Sequence, residues 1–88
     1  MVCKTVKITN QAGLHARPAN QFVKEAISHK NCDITFKKAG KVFNGKSIVS
    51  VLSACVKCGS EIELIADGEN EEAALEDMVA AVASGLGE

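Results

Sequence analysis

The sequence predicts an α+β protein of order βαββαβα, a mostly antiparallel sheet with helices packed on one face. Three observations carry this. Segments 2–9, 32–37, 41–44 and 60–66 show the two-residue period of strands, and the stretches between and after them show helical spacing. Two of the strands, 32–37 and 41–44, are separated only by Lys38-Ala39-Gly40, too short for a crossover, which makes them a hairpin and argues against a doubly wound parallel sheet. Eighty-eight residues allow one modest two-layer core, so a single domain over residues 1–88 is expected.

Taken in order, the first strand places Val2, Val6 and Ile8 on one face and Cys3, Thr5, Lys7 and Thr9 on the other. Residues 10–13 turn it into a helix starting near Ala16 to Pro18, where Ala19, Phe22, Val23, Ala26 and Ile27 form an apolar stripe. Residues 28–31 end that helix. His29 falls where the helix dipole favours a positive partner, and it reads as a surface residue with no acid or cysteine pair beside it to make a site. In the hairpin Ile34 and Phe36 point inward. A short apolar helix runs from Ile48 to about Cys55, with Lys46 or Ser47 as its cap. The last strand turns Ile62, Leu64 and Ala66 inward. A final helix takes Asn70 as N-cap, Glu71 and Glu72 in its first turn and Leu75, Met78, Val79, Val82 and Ala83 on one stripe, before Gly85 and Gly87 stop it.

Composition removes several classes of function. Ten basic against eleven acidic residues give a formal charge of −1, and the aromatic set is Phe22, Phe36 and Phe43, so a nucleic-acid partner is not expected. No apolar run approaches a membrane span and the N-terminus lacks the pattern of a signal peptide; a soluble cytoplasmic protein without membrane insertion is the expectation. Cys3, Cys32, Cys55 and Cys58 are then expected as free thiols. Cys55 and Cys58 have CxxC spacing but no second ligand pair, so no metal is assigned.

The chemistry concentrates in Gly13-Leu14-His15-Ala16-Arg17-Pro18-Ala19. Pro18 suits the first turn of a helix, where its missing N–H is not needed. That helix aims unpaired amides and the positive end of its dipole back toward His15. Arg17 adds a fork of donors matched to phosphate oxygens. An uncharged imidazole nitrogen is a nucleophile, and a phosphoryl group attached to it would meet the amides and the guanidinium. Reversible phosphoryl transfer through His15 is the expected chemistry, with no cofactor.

This motif, together with Gly45-Lys46-Ser47-Ile48, resembles HPr, the histidine-containing phosphocarrier of the bacterial phosphoenolpyruvate-dependent sugar phosphotransferase system, over essentially the whole chain. The resemblance implies an open-faced β-sandwich of strand order 1-4-2-3 with three helices on one face. It implies a protein substrate rather than an enzyme: His15 accepts the phosphoryl group on Nδ1 from phosphorylated enzyme I and passes it to IIA domains of sugar permeases, with Arg17 stabilising it. Ala16, Asn20 and Lys24 on the first helix and Ile48, Val49 and Leu52 on the short helix are the partner-docking positions. A monomer shuttling between partners is expected.

The apolar residues of the short helix exceed one inward stripe, so Ile48 and Leu52 are expected in an exposed docking patch, the other reading being a helix buried on two sides. Ser47 by residue type is an N-cap. By resemblance it is the regulatory serine phosphorylated by HPr kinase/phosphorylase, which would weaken handling by enzyme I and allow binding to a catabolite-control repressor. Ser50 stands where that family often has glycine, one turn from Ser47, which bears on the kinase and repressor contacts but not on His15. Three further readings compete. A nitrogen-branch carrier shares the histidine motif but often lacks Lys-Ser-Ile. A metal- or thiol-binding module of related element order expects CxxC in the first strand-to-helix loop, where this chain has Leu14 to Pro18. A purely regulatory paralogue lacks the histidine.

Overall fold

The structure is a computed structural model and describes residues 1–86. Four strands, β1 (Val2–Lys7), β2 (Cys32–Lys38), β3 (Lys41–Asn44) and β4 (Glu61–Gly68), form one sheet in the order β1-β4-β2-β3. Every neighbouring pair is antiparallel. The helices α1 (Ala16–Ile27), α2 (Ile48–Ser53) and α3 (Glu71–Ala83) complete the βαββαβα order and cover one face.

The register follows from the apolar alternation. On central β4, Ile62, Leu64 and Ala66 are buried, and they stand opposite Val6 and Val2 on one side and Phe36 and Ile34 on the other. A one-residue slip of either neighbour would turn its apolar set to solvent. The hairpin closes through Ala39 and Gly40 alone, with Lys38 paired to Lys41; both loop residues have positive φ (52° and 81°), as a two-residue loop of matching twist demands. Phe22 of α1 meets Phe36 edge-on at 5.5 Å, and Phe36 stacks on Phe43 at 5.3 Å, so three aromatic rings tie helix to sheet.

Several sequence expectations shift here. Strand β4 continues through Asp67 and Gly68, which pair with Asp33 and Cys32 instead of turning away. Ile27 is 53 % exposed rather than part of the α1 stripe. It lies roughly 80° round the helix from Ala19, beyond the arc held by Ala19, Phe22, Val23 and Ala26. On α3 the buried stripe is Ala74, Met78 and Val82, flanked by half-buried Leu75 and Val79, while Ala83 faces solvent. Asn70 does start that helix, but in a left-handed conformation and through its carbonyl, which accepts from the Ala74 amide at 2.9 Å; its side chain makes no cap bond. Gly85 (φ 89°) closes the helix, and Gly87 lies outside the described residues.

Helix α2 ends at Ser53, earlier than Cys55, because Cys55 itself turns left-handed (φ 52°). The Lys38 ammonium then caps the end, donating to the carbonyls of Ala54 and Cys55 at 2.8 and 3.0 Å. All four cysteines are free thiols; Cys32 is buried and the other three are exposed. A hydrogen bond with the Glu63 carboxylate pushes the Cys3 thiol pKa up. Among the described residues no helix is long and apolar enough to cross a membrane.

Candidate functional site

The loop before α1 is held by small, specific contacts. Asn10, the one buried polar residue among the described residues, donates from Nδ2 to the Gly13 carbonyl at 2.7 Å and accepts the Gly13 amide on its own carbonyl at 3.1 Å. The Leu14 amide donates to the Val56 carbonyl at 2.9 Å. Gly13 has φ +63°, and a Cβ there would stand 2.3 Å from the Val56 oxygen, so the close approach of the two segments requires glycine. Leu14 is buried before His15, and Pro18 and Ala19 are buried after it. Full burial of Leu14 alone contributes about 2 kcal/mol. His15 is therefore an exposed residue pinned between two core anchors.

His15 is the residue before the helix, with extended backbone (φ −144°, ψ 155°), and its side chain makes no cap bond. Ala16 follows at φ +52°. For a residue with a Cβ this conformation costs on the order of 1 kcal/mol, and it sits where the chain turns abruptly into α1. The first turn contains no acidic residue, so the amides at the helix start face no carboxylate of their own helix. Arg17 is exposed in that turn beside His15. His15 and Arg17 are thus both exposed at the start of α1.

Beside His15 lies a depression of about 320 Å³ lined by Ala12, Leu14, His15, Leu52, Cys55, Val56 and Lys57. Leu52, on α2, is thereby brought next to the histidine. Val49 and Leu52 are the exposed apolar residues of α2 (74 and 39 %), whereas Val51 is buried. Ile48 corrects the expectation: it is half-buried and packs on the core, so the exposed patch is Val49 and Leu52. Helical geometry explains the exchange, since Ile48 and Val51 share the inward side at i and i+3. On α1, Ala16, Asn20 and Lys24 are all exposed at spacings of four, one face of the helix. Lys57 and Ala12 are not singled out by sequence, and Cys55 is weighed there only for its CxxC spacing with Cys58. The signal for Lys57 was not local, because it reaches His15 only through the Gly13–Val56 contact.

Ser47 is the N-cap of α2, and its Oγ accepts from the Ser50 amide at 3.3 Å. The hydroxyl of Ser50 accepts from the Asn44 amide at 2.9 Å, so this residue ties the hairpin to the start of α2. Ser47 is half-exposed and does not line the depression at His15.

His29 departs from the sequence reading. It is half-buried rather than on the surface, and its Nε2 lies 3.6 Å from Glu25 Oε2 and 3.6 Å from Asp77 Oδ2. Glu25 is one turn back on α1, but Asp77 comes from α3, a neighbour that only tertiary packing supplies.

Residues 2–84 match the sequence model of the family described as the PTS HPr component phosphorylation site. The chain is 44 % identical over 82 residues to the HPr-like protein Crh of Bacillus subtilis, covering 93 % of this chain and 95 % of that protein. It is 44 % identical over 75 residues to phosphocarrier protein HPr of Treponema pallidum, covering 85 % and 84 % of the two chains. The crystal structure of HPr from Thermoanaerobacter tengcongensis superposes with a TM-score of 0.95 at 39 % identity, covering 100 % of this chain and 98 % of the other. The strand order, the three helices and the whole-length sequence match agree, and the chain belongs to the HPr family of phosphocarrier proteins.

Proposed function

We propose that this chain is a single-domain phosphocarrier of the sugar phosphotransferase system, a substrate of phosphotransferase enzymes rather than an enzyme. The observation that carries it is His15, exposed and extended at the start of α1, pinned between buried Leu14 and buried Pro18. Phosphorylated enzyme I transfers its phosphoryl group to Nδ1 of His15, and IIA domains of sugar permeases accept it in turn. The helix amides and Arg17 hold the phosphoryl oxygens. Partners dock over Val49 and Leu52 on one side and Ala16, Asn20 and Lys24 on the other, with half-buried Ile48 supporting α2 from below. The carrier acts as a cytoplasmic monomer, which sedimentation at working concentrations tests.

Ser47 supplies a second level of control. A phosphate added there by HPr kinase/phosphorylase places about two negative charges at the start of α2, beside Val49. This weakens handling by enzyme I and favours a catabolite-control repressor. The likeness to Crh, named as the catabolite repression HPr of Bacillus subtilis, supports a regulatory role as a second reading.

Incubation with enzyme I and phosphoenolpyruvate separates the two. The carrier reading expects an acid-labile, base-stable phosphate that His15→Ala abolishes. No label, or label retained in His15→Ala, overturns it. ATP-dependent labelling by the kinase, lost in Ser47→Ala, tests the regulatory role independently.

A further inference from the structure

Far from His15, three side chains with metal-ligating atoms meet where α1 ends against α3. Glu25 Oε2, His29 Nε2 and Asp77 Oδ2 all lie within 4.8 Å of one another, with the imidazole nitrogen 3.6 Å from each carboxylate oxygen. At these distances no hydrogen bond forms. Nε2 is nonetheless buried and without a hydrogen-bond partner, a condition native structures seldom leave uncompensated. We propose that Glu25, His29 and Asp77 bind a divalent transition-metal ion of the Zn²⁺ class, independently of phosphoryl transfer.

The geometry and the charge both fit. Tetrahedral Zn²⁺ with bonds of about 2.1 Å places its ligand atoms roughly 3.4 Å apart, close to the two distances observed. Asp77 is more than half exposed and can rotate to close the third edge. Two carboxylates and a neutral imidazole match a dication, and imidazole with carboxylate is a ligand set that Zn²⁺ accepts. The surroundings hold the ligands in place. The Ser28 hydroxyl, which donates to the Glu25 carbonyl at 2.6 Å, lies 3.2 Å from Glu25 Oε2, and the Lys46 ammonium donates to the His29 carbonyl at 2.7 Å, which fixes that backbone. Both carboxylates reach solvent, leaving a route in and a fourth position for water. An ion here would clasp the last turn of α1 to α3.

The test uses the full chain with Cys3, Cys55 and Cys58 replaced by serine, so that exposed thiols do not compete, and ZnCl₂ as the only added ligand. One Zn²⁺ should bind per chain, and a hundredfold excess over the Kd should raise the thermal midpoint by roughly 10 °C. The ring-proton resonances of His29 should shift at one equivalent while those of His15 stay in place. His29→Gln and Asp77→Asn should each weaken binding at least about tenfold. The second change is isosteric and exposed, so it leaves the fold intact. Absence of saturable binding, binding unchanged in Asp77→Asn, or a shift confined to His15 would overturn the proposal.

Discussion

Helix α1 carries a histidine at each end, and the two ends are chemical opposites. His15 at the start is exposed, has no acid in the adjoining turn, and lines a depression together with Lys57. His29 just past the end is half-buried between two carboxylates. About 18 Å of helix separates them. One imidazole is presented to partners and to an anion; the other is enclosed by anions and suited to a cation. The same side chain acquires opposite roles from the polarity of the helix and from what packs beside it.

The contrast can be broken most severely at the histidines themselves. Whereas His15→Ala should lose phosphoryl acceptance entirely, His29→Gln should accept it within about twofold of the parent rate; a large loss there would mean the two ends are coupled. Arg17→Ala comes next, with transfer from enzyme I slowed about 100-fold while the circular dichroism spectrum and melting curve stay unchanged, the size expected for removing one charged donor from a transition state. Unchanged transfer kinetics would remove Arg17 from the site.

Gly13→Ala sharpens the comparison through stability. A left-handed alanine pressed against the Val56 carbonyl should cost about 2 kcal/mol in urea unfolding and loosen the His15 loop, with no effect on the His29 end. A smaller effect is expected from Val49→Asp with Leu52→Asp, which should raise the KM for enzyme I about tenfold at constant stability, because both residues are exposed. An unchanged KM would place docking elsewhere.

Much of this was legible in residue order. The alternation in Ile62, Leu64 and Ala66, the short hairpin turn and the Gly13-to-Ala19 motif are local signals, because strand period, loop length and helix-start chemistry act within a few residues. Helix stripes were legible except at their margins, where Ile27 and Ala83 lie outside the buried arc. Asn10 as the organiser of the loop was visible only as a turn residue, since its role depends on the Gly13 carbonyl it reaches.

By itself the sequence determined the element order, the antiparallel character of the sheet, and His15 and Arg17 at the start of α1, all consequences of short-range periodicity and capping. Tertiary structure decided the rest. It turned Ile48 inward and Val49 outward, brought Lys57 and Leu52 beside His15, and carried Asp77 from α3 to His29 on α1. Those relations join residues far apart in the chain, and no local pattern encodes them: they exist only once the helices have settled on the sheet.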